Sequence, residues 1–528
     1  MDNSQEPWVY VNGTLKSQVI CLPIASCSVH LDMSVTHAVD VTNESESLYA
    51  LPFNEPHIDI LLVAGSFIYL LNVIHGVFQF LFGAGLIGQL VLGAVYSVPL
   101  GNILPLDIQT TIGTIGYLGL ILLIVEGGLD ARLDILSERQ NMLICVLVAL
   151  SGIGFPIGLS MLVLHFGYQY ALLESFAVGA ALSATSLGTT FAIMSSFRFP
   201  TPPSHSQEDE TNSDRVASST TSKGQSNLGE TRAGTILMGA ALLDDIIGLV
   251  ISSVVSNLGS TGSGAHISGW VVARPIISSS AMLIVTAALA RLICPFVALF
   301  WARVHLSLST SKWAHQLPNV ALLLFIVVIA AYITISHYIG SSMLIGAFCA
   351  GSLMSHYWKL LRARSEFDTI EYWSPHRSFG TITPVQNLVL SPFFFASIGA
   401  AIPVRSLFIA TTAWRGILYS ALMVVAKVVA GAWLPFWGLI ASRSSSPLTA
   451  PSWPAGLFVG LALVTRGEIG LLILNIAQSK GLVSEEAFGV GIWAVVLSTL
   501  LGPIGVGRLL QTRVAEWVIG GPWGIHNL

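Results

Sequence analysis

Charged residues are scarce in this chain. Asp, Glu, Lys and Arg make up 10% of its 528 residues, whereas soluble domains contain about 25%. The deficit argues against a water-soluble fold, because the surface of such a fold is rich in charged side chains. The chain has no run of basic residues typical of a nucleic-acid-binding patch, and its net charge of −5 suggests no acidic macromolecular partner.

Cysteine and secretory signals are scarce as well. The chain has 5 cysteines, and none has the spacing of a metal site. Cys21 and Cys27 lie in the polar N-terminal segment, where a disulfide between them stays open. No cofactor is indicated. The first 56 residues lack a basic stretch followed by a long apolar core, which argues against a cleaved signal peptide.

Apolar residues, in contrast, are abundant. They account for 53% of the chain, and the mean hydropathy is +0.74. Because about 20 apolar residues are needed for one helix to cross a bilayer, the sequence predicts an all-α, polytopic membrane protein with about thirteen transmembrane helices. The predicted spans are residues 57–80, 84–101, 109–129, 141–165, 171–196, 233–256, 270–300, 317–336, 338–356, 386–404, 415–438, 455–478 and 486–510.

The polar segments divide the chain and orient it. A polar tail (1–56) precedes the transmembrane domain (57–510), and a short tail (511–528) follows it. Residues 197–232 are rich in Ser, Thr and acids and predict a disordered loop. If the N-terminus lies outside the cytoplasm, fifteen Lys and Arg residues fall on the cytoplasmic side and five on the other. This bias predicts a non-cytoplasmic N-terminus and a cytoplasmic C-terminus, in a plasma membrane or an endomembrane.

Two adjacent acids give the strongest functional signal. Asp244 and Asp245 lie near the middle of an apolar span, where an ionisable side chain needs a partner, an aqueous cavity or a function. Successive helical residues point about 100° apart. We therefore expect one carboxylate to face a neighbouring helix and the other to face a water-filled cavity. A purely structural pair is the less favoured alternative.

Three more ionisable residues lie within apolar spans. Lys427 needs a counter-ion from another helix, and Asp244 or Asp245 is the obvious candidate. Arg466 and Glu468 lie two positions apart and point to different sides of their helix. A structural tie to another helix or to unwound backbone and a role in ion binding both stay open for this pair.

A polar segment interrupts the predicted span at 171–196. It contains Thr185 and Ser186 among further hydroxyl residues and a glycine. Such a segment suits a locally unwound helix whose carbonyl and hydroxyl groups line a cation site. Ordinary packing of small residues between helices is the alternative.

Taken together, these segments resemble the cation:proton antiporter superfamily, in the branch of the bacterial sodium/proton and potassium-efflux antiporters. The matching segments, in chain order, are Gly128-Leu129-Asp130, Ser183 to Gly188, Asp244-Asp245, Gly346-Ala347-Phe348 with Ala350-Gly351, Ser391 to Phe395 with Ile398-Gly399, Lys427 to Gly431, and Arg466-Gly467-Glu468. Ala426 stands where a glycine often precedes the lysine, and the nucleotide-binding C-terminal domain of the potassium-efflux members is absent.

The resemblance implies inverted repeats, a core domain with two broken, crossing helices, and a homodimer in the lipid bilayer. It also implies that Asp245 alternately binds a proton and a monovalent cation, with Asp244 and Thr185 contributing to the metal site, and that Asp244 pairs with Lys427. Ser186 would help complete the oxygen ligands.

We therefore expect a secondary transporter, not an enzyme, that exchanges protons for Na⁺ or K⁺ by alternating access. The alternative is a cation channel or gated efflux pathway without obligatory proton coupling. The sequence leaves the preferred cation and the stoichiometry open.

Overall fold

The computed structural model describes residues 8–11, 15–21, 27–30, 55–98, 100–131, 139–186, 198–200, 225–227, 231–260, 269–297, 317–364, 374–441, 452–512, 514–520 and 523–524. The chain divides into two compact units, Met1–His57 and Ile58–Leu528.

The first unit contains a small antiparallel sheet of three strands: β1 (Trp8–Val11), β2 (Leu15–Cys21) and β3 (Cys27–His30). Its register places Cys21 opposite Cys27. Aromatic and β-branched residues favour strands, and β1 consists of them entirely. The sequence interpretation did not anticipate this sheet, because it treated residues 1–56 only as a polar tail.

The second unit is built from helices. In chain order they are α1 (Ile58–Phe82), α2 (Gly85–Tyr96), α3 (Leu106–Asp130), α4 (Arg139–Ser160), α5 (Leu172–Ser183), α6 (Arg232–Ser260), α7 (Gly269–Ala288), α8 (Leu317–Ile339), α9 (Met343–Arg364), α10 (Pro375–Val385), α11 (Ser391–Ala400), α12 (Val404–Leu407), α13 (Ala410–Ala430), α14 (Trp433–Ala441), α15 (Trp453–Ala462), α16 (Glu468–Ser479), α17 (Glu485–Leu510) and α18 (Val514–Gly520). Short π-helical turns extend α4, α7 and α10 at Met161–Gly167, Leu289–Ile293 and Gln386–Leu390.

The helices confirm a multi-pass membrane protein. Within the described residues, nine helices are long and apolar enough to cross a membrane, and four more apolar helices are shorter. The count of thirteen crossings stays a prediction. The span expected at 386–404 begins earlier, at Pro375, because the polar first turn of α10 continues through the π-helical turn into α11.

Two of the expected spans contain non-helical residues. Helix α5 ends at Ser183, and residues 184–186 are not helical. The span expected at 455–478 splits into α15 and α16, separated by the non-helical residues 463–467. The two breaks contact each other, since the backbone N–H of Ser186 donates to the carbonyl of Thr465 at 3.1 Å. Contact between two non-helical segments agrees with the predicted pair of broken, crossing helices, and the continuation of the first of them beyond residue 186 lies outside the described residues.

The transmembrane helices pack as two groups. In one, α4, α5 and α6 pack with α13 and α15 to α17. Along the chain, α5 with its break lies between α4 and α6, and the split span of α15 and α16 lies between α13 and α17. In the other, α1, α2 and α3 pack with α9 and α11. Helices of the second group approach backbone to backbone at glycines. A Cβ atom added at Gly399 would lie 2.0 Å from the carbonyl of Leu90, and one at Gly119 would lie 2.4 Å from that of Leu390.

Two polar segments of the second unit are described in part. Arg198–Pro200 pairs antiparallel with Gln225–Asn227 inside the loop expected at 197–232. The predicted disorder of the rest of that loop lies outside the described residues. In the C-terminal segment, the carbonyl of Trp523 accepts from the N–H of Ala233 at 3.0 Å, so this segment contacts the start of α6.

Candidate functional site

The site is organised around the crossing of the two breaks. Arg466 lies in the second break with 0% of its surface exposed. Its Nη1 donates to the carbonyls of Ser183 and Ala184 at 3.2 and 3.1 Å. These carbonyls lie where α5 ends, and the last carbonyls of a helix lack intrahelical partners and carry a partial negative charge. Arg466 therefore ties the second break to the unwound end of α5.

A buried ion pair lies beside this crossing. Lys427 Nζ, from α13, is 2.7 Å from Asp244 Oδ2 on α6 and donates to Thr185 Oγ1 at 2.8 Å. Thr185 in turn donates to Asp244 Oδ2 at 2.5 Å. The ion-paired side chains are 0% and 1% exposed. Two charges at such depth need this dense set of partners, because an unpaired buried charge is costly. A Cβ at Gly152 of α4 would lie 3.4 Å from Lys427 Nζ, so that helix also borders the pair.

Asp245 has different surroundings from its neighbour. It lines a cavity of about 900 Å³ that Asp244, Lys427 and Thr185 do not line. Asp245 is 7% exposed, and its Oδ1 has no hydrogen-bond partner among the described residues. The helical rotation of about 100° between adjacent residues accounts for this separation. One aspartate is committed to an ion pair, while the other is available to a ligand.

The cavity has an acidic lining that reaches the protein surface. Among the described residues, its carboxylates are Glu126, Asp130, Asp245 and Glu468, and none of the described lining residues is Lys or Arg. The Asp130 side chain is 67% exposed and lies 3.7 Å from His376. The other polar lining residues are Asn72, His75, Gln79, Gln89, Ser186, Asn387 and Ser391. Such a lining attracts cations from the adjoining solution, because like-signed charges in a cleft focus the electric field.

The structure groups the residues singled out from the sequence in two sets. Thr185, Asp244 and Lys427 form the buried ion pair, whereas Ser186, Asp245 and Glu468 line the cavity. Arg466 contacts the backbone at the break.

Sequence reasoning missed Glu126. It lies inside the span expected at 109–129 and met the criterion applied to Asp244, namely an acid within an apolar run. The structure places it in α3, on the wall of the cavity.

Comparison with known proteins decides the family. The sequence profile described as "Sodium/hydrogen exchanger, transmembrane" matches residues 60–512. The chain belongs to the sodium/hydrogen exchanger family. This is a family of membrane transporters and not of enzymes, which confirms the resemblance drawn from the motifs.

Two relatives illustrate the sequence similarity within the family. The high-affinity Na⁺/H⁺ antiporter NhaS3 of Synechocystis is 24% identical over 395 residues, which cover 74% of this chain and 70% of that protein. A Na⁺/H⁺ antiporter of Enterococcus hirae is 23% identical over 422 residues, covering 79% of this chain and 89% of its own length.

A solved structure shares the fold. The sodium proton antiporter MjNhaP1 from Methanocaldococcus jannaschii superimposes with a TM-score of 0.56 and 16% identity, over 87% of this chain and 100% of that one. Membership of the family supports exchange of cations for protons, and the structural likeness supports the fold.

Proposed function

We propose that this exchanger moves protons against Na⁺ or K⁺ by alternating access, with Asp245 as the carboxylate that binds either a proton or the cation. The observation that carries the proposal is the unequal environment of the two aspartates. Asp244 is neutralised by Lys427, whereas Asp245 lines the cavity with an unpaired oxygen. A buried acceptor without a partner is costly, so occupation by a proton or a cation stabilises it.

Competition for one carboxylate supplies the coupling. A cation that enters the cavity finds Asp245 protonated, and the carboxylate binds it only after the proton leaves. If the carrier changes its accessible side only when Asp245 is occupied, each cation moved one way is matched by proton movement the other way. Ser186 lines the cavity beside Asp245 and is proposed to add an oxygen ligand. Thr185, which is bonded to Asp244 and Lys427, is proposed to act mainly by holding that pair.

The crossing breaks suit a moving site. Half-helices that end inside a membrane direct partial charges at a bound ion, and Arg466 balances the negative end of α5. We propose that the group formed by α4 to α6, α13 and α15 to α17, which carries Asp244 and Asp245 on α6, moves against the group formed by α1 to α3, α9 and α11, in a homodimer. With the N-terminus outside the cytoplasm, as the Lys and Arg distribution predicts, the cavity opens to the cytoplasm, at the end of α3.

The test is proton movement in proteoliposomes that carry a pH-sensitive dye inside. After a pH gradient is set, Na⁺ or K⁺ is added in turn to vesicles with wild-type protein or with Asp245→Asn. We expect saturable, cation-dependent dissipation of the gradient by the wild type and none by the variant. Asp107→Asn makes the same substitution at an exposed aspartate in the first turn of α3 and should exchange as the wild type does.

Two results would contradict the proposal. Cation-coupled proton movement retained in folded Asp245→Asn protein would remove Asp245 from the site. A cation flux that does not saturate, rises linearly with voltage and moves no protons would favour a channel.

A further inference from the structure

A second carboxylate, Glu468, lies on the same cavity as Asp245. We infer that Glu468 is a direct cation ligand, so that the ion binds between two carboxylates and the site selects the smaller monovalent cations, Na⁺ and Li⁺, over K⁺. The inference rests on the proposed function and assigns to that site a ligand and a selectivity.

The packing of two helices brings Glu468 and Asp245 together. Glu468 is the first residue of α16, which packs against α6. One turn after Asp245, a Cβ at Gly248 would lie 3.2 Å from Cγ2 of Ile469, the residue next to Glu468. Both residues line the cavity, so a cation that reaches Asp245 enters a space that Glu468 also borders.

The two basic side chains nearby, Lys427 and Arg466, form their hydrogen bonds with other groups and not with Glu468 or Asp245. Lys427 donates to Asp244 and Thr185, and Arg466 donates to the backbone at the end of α5. A cation bound beside Glu468 would give the buried Oδ1 of Asp245 the partner that it lacks among the described residues.

A second carboxylate changes the balance between Coulomb attraction and dehydration that decides which cation the site prefers. Coulomb attraction increases as the distance between charges falls, so each added negative charge favours the ion that approaches most closely. The opposing cost is dehydration, which is larger for the smaller ion. A site with one carboxylate and neutral oxygens compensates that cost less well, so loss of Glu468 should shift the preference toward K⁺.

The experiment compares Glu468→Gln with Glu485→Gln. Both residues are the first of a helix, but Glu485 is exposed at the start of α17 and lies outside the cavity. We expect wild type and Glu485→Gln to prefer Na⁺ and Li⁺ to K⁺. In Glu468→Gln the Na⁺ concentration for half-maximal exchange should rise at least about tenfold, since a lost charge-assisted contact is worth about 1.5–3 kcal/mol. K⁺ exchange should change less, and Glu468→Asp should restore part of the Na⁺ preference.

Selectivity separates this role from a structural one. A Glu468→Gln variant that loses maximal rate or stability while its Na⁺ to K⁺ ratio stays within twofold of wild type would overturn the inference, as would a wild type that prefers K⁺. If the variant does not exchange, binding of radioactive Na⁺ to purified protein replaces the flux assay. Reduced Na⁺ binding supports the inference, and unchanged binding overturns it. Failure of the proposed function would instead appear as wild-type protein that binds Na⁺ without coupled proton flux.

Discussion

Replacing Lys427 by methionine should destabilise the protein strongly, and the buried ion pair sets the size of the effect. The substitution keeps an unbranched side chain but removes the charge and both hydrogen bonds to Asp244 and Thr185. The Asp244 carboxylate, 1% exposed, then lacks its ion-pair partner. Removing one partner of a buried pair costs about 3–5 kcal/mol.

The lower end of that range is expected here. Thr185 still donates to the Asp244 carboxylate. A loss of about 3 kcal/mol lowers the ratio of folded to unfolded protein on the order of 10²-fold, because each 1.4 kcal/mol is a factor of ten. Adding Asp244→Leu should recover most of the loss, since replacing both members of a buried pair by apolar side chains is often nearly neutral.

The free energy of unfolding is measured for the wild type, both single variants and the double variant as purified proteins in lipid nanodiscs, so that the four proteins form a double-mutant cycle. Lys480→Met, at the exposed C-terminal end of α16, is the matched control and should cost less than about 0.5 kcal/mol. A Lys427→Met variant as stable as this control would refute the reasoning, because a buried, uncompensated carboxylate cannot be free of cost.

Two further predictions concern the crossing and a surface pair. Gly467→Ala should destabilise the protein by about 1–3 kcal/mol and slow exchange, because the added Cβ would lie 2.6 Å from Cβ of Ser186. The control is Gly380→Ala, where the added atom has no neighbour within 4 Å, and equal unfolding and flux in the two variants would contradict the prediction. Glu486→Gln removes an ion pair between Arg415, whose side chain is 30% exposed, and Glu486, whose side chain is 42% exposed, and should lower the unfolding free energy by less than about 1 kcal/mol. A larger loss that added salt leaves unchanged would show that solvent does not screen this pair.

The long helices could be predicted because lipid imposes a simple rule on sequence. A continuous apolar run without charges has few alternatives to a spanning helix, and the ends of α6 and α17 accordingly lie close to the expected ones. The charged residues were conspicuous for the same reason. Asp244, Asp245 and Lys427 stand out because any ionisable group in such a run requires an explanation.

The second break could not be located from the sequence. Residues 455–478 read as one span despite Arg466 and Glu468, and glycine is common in continuous transmembrane helices. The break exists because tertiary contacts replace the lost helical hydrogen bonds, such as the one from Ser186 to Thr465. Which aspartate lines the cavity also depends on the rotation of α6 against its neighbours, a property of the packed bundle and not of the local sequence.

The glycine contacts between α2, α3 and α11 make the group formed by α1 to α3, α9 and α11 rigid. At Gly399 and Gly119 the main chains themselves touch, leaving no flexible side chain between them to absorb a displacement. Close packing transmits strain instead of dissipating it. Thermal fluctuation or a change in bilayer thickness would therefore move these helices together, and the proposed movement of the other group would take place against one rigid surface.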